Sequence, residues 1–194
     1  MNSVKFLVAF FLIHFFCLEA VNASHIRAGE VIARRISNLT FEYEFTFIGY
    51  RDTDTGIDFG GGNFDFGDGT VISGDFDVLE TQITANIVRA EFTLVHTYQA
   101  PNSYIVSYSE DNRNGGISNM ENSLNTPFYT ETLIIIDPFF GVNNTPVLTV
   151  PPLDEGIPGA RFIHNAGAFD IEGDSLAYYL VIPKMEKNSE VVLY

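Results

Sequence analysis

From Leu39 to Phe47 the chain alternates between polar and aromatic residues. Phe41, Tyr43, Phe45 and Phe47 fall on one side, and Thr40, Glu42, Glu44 and Thr46 on the other. A period of two written in aromatic and β-branched residues predicts a half-buried strand. Each aromatic on its inner side contributes about 1.5–3 kcal/mol when buried. The same period returns between Ile83 and Tyr98, where Val88, Ala90, Phe92, Leu94 and His96 share a face, and again at Tyr104, Val106 and Tyr108. His25 to Ile32 and Tyr129 to Ile136 predict two more strands, the second ended by Asp137-Pro138.

Turn formers separate these stretches. In Asn63-Phe64-Asp65-Phe66-Gly67-Asp68-Gly69-Thr70 the two phenylalanines lie two residues apart, so on a strand they share one face. Asp68-Gly69, both tolerant of positive φ, is expected to reverse the chain into Val71-Ile72. Arg51 to Gly62 reads as a loop rich in Asp and Gly, and Glu110 to Gly116 as an exposed loop. No stretch after residue 23 carries a helical period. The expected fold class is therefore all-β, with a β-sandwich over residues 24–137. Pro146 and Pro151-Pro152 mark a linker over residues 138–152. Past it, Phe162–Asn165 and Leu176–Leu180 predict strands of an incomplete second sandwich unit over residues 153–194. That unit is too short to bury a stable core of its own, which suits a fragment of a longer chain or a tail packed on the first unit.

Residues 1–23 read as a signal helix for export: Lys5, then the apolar run Phe6 to Cys17, then Val21-Asn22-Ala23 before the cut. The run is shorter than the roughly 20 apolar residues of a membrane span. Removing it takes away Lys5, Glu19 and the single cysteine, and leaves the net charge at −15. An exported chain without cysteine rests on its core rather than on disulfides. The acidic surplus argues against nucleic acid and anionic membranes as partners, which it would repel. It suits a secreted or outer-surface protein and calcium capture.

Candidate chemistry is confined to carboxylates. Asp65 and Asp68 flank the reversal, and Asp52, Asp54 and Asp58 crowd the loop before it. Like charges a few ångströms apart are costly without a cation, and Ca²⁺ accepts six to eight oxygens from irregular loops. Asp52, Asp54, Asp65 and Asp68 therefore form one candidate calcium set, with local turn bonding by Asp65 and Asp68 as the alternative. Asp170, Glu172 and Asp174 alternate, so on an extended chain their carboxylates share a side, and they form a second candidate set. Asp54-Thr55-Gly56 spells an aspartic-protease triplet, but that chemistry needs a second such carboxylate and the sequence has none. No Gly-x-Ser-x-Gly elbow and no His-Glu-x-x-His pair occurs, and His96 and His164 are expected to be structural. The expectation is a chain without catalytic residues. Tyr43, Tyr98, Tyr104 and Tyr108 are assigned to the core by their alternation, with stacking on sugar rings or partner proteins as the alternative.

Phe64-Asp65-Phe66-Gly67-Asp68-Gly69-Thr70, then Val95-His96-Thr97-Tyr98, then Asn102 to Tyr108, resembles the PKD domain, an immunoglobulin-like sandwich of cell-surface proteins. Phe64 stands where tryptophan is usual there, and Asn102-Ser103 where glycine is usual. The segment from Phe169 to Leu176 resembles the acidic signature of cadherin-like repeats. Taken in order from Ser24 to Leu180, the chain looks like the N-terminal region of gliding-motility-associated surface proteins, which leave the cell by type IX secretion. The resemblance implies an adhesion or spacer role with other surface proteins or extracellular polysaccharide as partners. It also implies calcium at the two acidic sets, and as an alternative role an accessory substrate-binding module of a longer extracellular hydrolase.

Overall fold

A computed structural model describes residues 26–53, 58–111, 113–139, 141–151 and 159–193. Residues 1–25, which hold the expected signal segment, lie outside this set, as do Asp54 and Pro152. Eight strands build two antiparallel four-stranded sheets. The first, in order β1-β2-β6-β5, comprises β1 (Ile26–Arg35), β2 (Phe41–Asp52), β5 (Leu79–Gln82) and β6 (Ile87–Tyr98). The second, in order β4-β3-β7-β8, comprises β3 (Asn63–Asp65), β4 (Val71–Ser73), β7 (Ser103–Glu110) and β8 (Phe128–Ile135). The fold is the expected all-β sandwich. Among the described residues its one helical turn is a 3₁₀ segment at Ser123–Asn125.

The alternation fixes which side of each strand faces inward, because a one-residue slip would turn every aromatic to water. Tyr43, Phe45 and Phe47 of β2 are buried, and so are Ala90 and Phe92 of β6 and Tyr104, Val106 and Tyr108 of β7. Across the sandwich the Phe47 ring lies 4.2 Å from that of Tyr108 and Phe45 lies 5.4 Å from Phe66, while within the first sheet Phe47 stacks on its partner Phe92 at 5.1 Å. Offset and edge-on aromatic pairs of this kind add to what burial supplies. All four tyrosines assigned to the core are there.

The outer face of the first sheet is covered at one end. Ile32, Ile48, Tyr50 and Ile87 form a second apolar cluster, against which Val147 packs. The segment expected to be a linker is therefore docked on the sandwich. The Ala33 amide donates to Thr145 Oγ1 at 2.8 Å, the Thr145 amide donates to the Ala33 carbonyl at 3.1 Å, and the Arg35 amide donates to Asn144 Oδ1 at 2.8 Å, which occupies the free edge of β1. An edge so covered cannot pair with another chain.

Past this segment the structure departs from the reading of the sequence. Phe162–Asn165 and Leu176–Leu180 form no strands, and Tyr179, Leu180 and Val181 are exposed. The described residues instead form two short antiparallel pairs: β9 (Val147–Leu148) with β10 (Ala168–Phe169), and the hairpin of β11 (Lys184–Glu186) with β12 (Ser189–Glu190). A strand needs a partner for its backbone groups and a face to bury, and these segments have neither within the described chain. The β11–β12 hairpin is held to the sandwich by the Lys184–Glu131 ion pair (2.5 Å) and by Arg113, whose guanidinium donates to the carbonyls of Lys184 (2.9 Å) and Pro127 (2.8 Å).

Candidate functional site

The Asp-Gly reversal sits at one end of the sandwich. Positive φ falls on Gly67 (82°) and Gly69 (97°) and not on Asp68, and the Phe66 amide closes the loop onto the Thr70 carbonyl at 3.0 Å. The turn is thus a loop over residues 66–70 with two glycines in the left-handed region, rather than a tight Asp68-Gly69 turn. Its acids serve the backbone. Asp65 Oδ1 accepts the Gly67 N–H at 2.7 Å, and Asp68 Oδ1 accepts the Thr70 N–H at 3.0 Å. Asp68 Oδ2 lies 2.7 Å from His96 Nε2, and the imidazole stacks on Phe66 with ring centres 4.3 Å apart. Burial alone would raise the Asp68 carboxyl, but the His96 and Thr70 bonds outweigh it and hold the group below its ordinary value.

The acids of the preceding loop are met by arginines. Arg27 Nε lies 2.6 Å from Asp52, while buried Arg51 reaches Glu80 at 2.6 Å and Asp58 at 2.9 Å. The charge crowding read as a need for a cation is answered by two guanidinium groups. The Arg51 guanidinium is held above its usual range, chiefly by its bond to Glu80. Asp54 lies outside the described residues.

Asp170, Glu172 and Asp174 do not line one side of an extended strand. They wrap a turn in which buried Asp170 accepts the N–H groups of Glu172 and Asp174, both at 3.0 Å. Glu172 turns away and binds Asn144. Gly173, at φ 83°, supplies the left-handed residue that the turn requires. Among the described residues no group of three or more His, Cys, Asp or Glu side chains is placed to hold a metal ion.

A different feature was not singled out from the sequence. The outer face of β3, β7 and β8, walled by the β11–β12 hairpin, forms a cleft of about 450 Å³. Asn63, Asp65, Ser107, Ser109 and Tyr129 line it, with Glu186 and Lys187 on the hairpin side. Tyr129 donates to Glu131 at 2.7 Å, and Glu131 holds Lys184, so one hydrogen-bonded chain sets both the ring and the wall. Burial pushes Glu131 up, but Lys184 and Tyr129 outweigh it and keep the carboxyl below its ordinary range. At the rear, Glu110 is buried rather than part of an exposed loop. It accepts the Tyr108 hydroxyl and the Gly61 amide (3.2 Å), and burial pushes its carboxyl up. The signal was present in the sequence, because Glu110 continues the inward period of Tyr104, Val106 and Tyr108. Arg113, also assigned to that loop, is buried as well.

Among the described residues no helix is long and apolar enough to cross a membrane. No curated protein and no solved structure shows significant similarity to the chain. A family model does match: integrin beta-like protein A-E, N-terminal, over residues 33–137. The match opens near the end of β1 and closes just after β8, so it spans the two sheets, the 66–70 loop and the His96–Asp68 pair. By that match over more than half of its length, the chain belongs to the family of integrin beta-like protein A-E N-terminal regions.

Proposed function

We propose that the chain is a non-catalytic module of a secreted or outer-surface protein, working in adhesion or as a spacer between binding surfaces. Within that role it is a gliding-motility-associated surface module, exported by the type IX route that the order of its motifs suggests. The observation that carries the reading is the family match over the sandwich itself, since the matching description is that of an integrin-like protein. The deployment of the polar residues supports it. Asp68, His96, Arg51 and Glu110 each tie one segment of the sandwich to another, which suits a body that bears load. Beads coated with the full folded chain should be retained under flow on a lawn of the producing cells. Retention no greater than that of beads coated with heat-unfolded chain would overturn the proposal.

A second reading, an accessory substrate-binding module of a longer extracellular hydrolase, is favoured by the cleft on β3, β7 and β8. The neighbouring coding sequence separates the two readings. Further sandwich repeats and a sorting domain fit the first, and a catalytic domain fits the second.

A further inference from the structure

The pairing of β3, β7 and β8 lays two polar rows across the outer face of the second sheet. Asn63, Ser109 and Tyr129 stand opposite one another in the first row, and Asp65, Ser107 and Glu131 in the second. Neighbouring strands lie about 4.8 Å apart and successive same-face residues about 7 Å, so the two rows cover an area comparable to one or two sugar rings. An exposed sheet face without function is commonly filled by Lys, Glu and Thr. This one presents two small hydroxyls, one amide, two carboxylates and one ring beneath a wall.

The hydrogen-bonding capacity of the rows is partly unspent. Asp65 uses Oδ1 on the Gly67 amide, and Asn63 uses Oδ1 on the Ser73 hydroxyl at 2.7 Å. Asp65 Oδ2, the Asn63 amide nitrogen and Ser109 Oγ have no hydrogen bond among the described residues. An acceptor, a donor and a hydroxyl that does both thus converge within one cleft, beside an aromatic ring held in place by its bond to Glu131. We propose that this cleft binds a neutral saccharide; the proposal rests on the reading of the chain as a binding module and names its ligand class.

The chemistry selects that class. Vicinal hydroxyls both donate and accept, matching a carboxylate oxygen set beside an amide N–H, and carboxylate acceptors make the stronger bonds. The apolar face of a sugar ring packs against an aromatic side chain, as the Tyr129 ring permits. Anionic polymers are disfavoured, because Asp65, Asp111 and Glu186 face the cleft against Lys187 in a chain of net charge −15. The wall is held from the sandwich side. It is a two-stranded hairpin anchored by the Lys184–Glu131 pair and Arg113, so a ligand can lean on it without disturbing the sandwich core.

The test titrates the full chain with cellohexaose, laminarihexaose, mannohexaose and chitohexaose by calorimetry and by amide chemical shifts, with polygalacturonate and pentalysine as charged controls. At least one neutral hexasaccharide should bind with millimolar or tighter Kd, shifting amides of Asn63, Ser109 and Tyr129. Asn63→Ala and Tyr129→Ala should each weaken it by about tenfold. Asn63 is exposed, so its variant keeps the fold even if the Tyr129 variant does not. Absence of binding at about 10 mM of every neutral sugar, binding undiminished by Asn63→Ala, or binding of pentalysine alone would overturn the proposal. Coated-bead retention that persists while no sugar binds would sink the cleft and leave the adhesion reading standing.

Discussion

The hydroxyl of Tyr98, at the end of β6, donates to the carbonyl oxygen of Phe66 at 2.8 Å, across the interior between the two sheets. The Tyr98 ring lies 6.3 Å from Phe45 and 4.2 Å from Tyr104, so one side chain fills the core and satisfies a backbone group of the glycine loop. Burial raises the Tyr98 hydroxyl far above its ordinary value, and it stays a donor at every pH of interest. Tyr98→Phe keeps the ring and leaves the Phe66 carbonyl without its partner. The loss should be about 1–3 kcal/mol, read as a lower urea midpoint at unchanged slope. A change within error would show that water or a relaxed loop replaces the bond.

Asp68 and His96 give the same end of the sandwich a dependence on pH. The Asp68 carboxyl is held below its ordinary value in the fold. Its stabilising effect is therefore present above the unfolded value of about 3.9 and disappears as pH falls through the lower folded value. Both side chains are mostly shielded, so solvent screening removes only part of the effect. A double-mutant cycle with Asp68→Asn and His96→Ala should give a coupling of about 1 kcal/mol at pH 6. The coupling should shrink as pH falls below about 3.9 and vanish only below the lower folded value. A coupling as strong at pH 3 would mean that stacking of the imidazole on Phe66, rather than the charge pair, joins them.

Much of this architecture was written in the period of the sequence. The aromatics of β2, β6 and β7 could be assigned to the interior from alternation, since only one phase buries them all. Phe64 and Phe66 share the core as their spacing requires, with ring centres 5.0 Å apart. What alternation cannot show is which partner answers a polar residue. Nothing in the order of residues tells that Arg27 and Arg51 neutralise the acidic loop, or that Lys184 returns across the chain to Glu131. Segments with strand-like composition but no neighbour were misread for a related reason. Leu176 to Leu180 has the residues of a strand, but the described chain offers it no edge to pair with. The cleft was invisible because its residues are ordinary one by one and come together only through the register of β3, β7 and β8.

Glu110 reverses the usual pH argument for an acid. Burial raises its carboxyl above the ordinary value, against the lowering effect of the Tyr108 hydroxyl and the Gly60 and Gly61 amides. A group whose folded value is raised binds its proton more tightly in the fold, so its contribution falls as pH rises through the interval above about 4.3. Glu110→Gln removes the titration while keeping an acceptor. The stability of the wild type relative to this variant should therefore decline between pH 4 and pH 7. A relative stability that stays flat or climbs over that range would show that the bonds from Tyr108 and the glycine amides outweigh burial.

Calcium is the expectation most exposed to a simple measurement. Asp68 is engaged by His96, Asp52 by Arg27, and Asp170 by the amides of its own turn. An ion would have to displace those partners before it gained ligands. Extracellular calcium sites commonly have Kd values of about 0.1–1 mM, so about 10 mM calcium would stabilise an intact site by roughly 1.4–2.7 kcal/mol. The melting midpoint of the full chain should instead be the same in calcium and in chelator. A rise of several degrees, abolished by Asp170→Asn or by Asp65→Asn, would restore the ion to the corresponding loop.

Two glycines near the reversal should respond to an added methyl to different degrees and for different reasons. At Gly62, just before β3, a Cβ would stand 2.2 Å from the Ser109 carbonyl oxygen and 2.9 Å from the Tyr108 ring. The closest of these is backbone in the neighbouring strand, so neither side can yield without parting β3 from β7. Gly62 also receives the Gly74 amide at 2.8 Å, which closes the β3–β4 hairpin. Gly62→Ala should cost about 3 kcal/mol or more, in the range of severe overpacking, with loss of slow-exchanging amides along β3. At Gly69 nothing lies within 4 Å of the new carbon, and the only burden is its φ of 97°. Gly69→Ala should therefore cost about 1–2 kcal/mol, the strain of a left-handed alanine. Thermal melts of the two variants decide the matter: equal losses would mean that β3 and β7 can separate locally, and the close approach of their backbones would no longer explain the glycine at position 62.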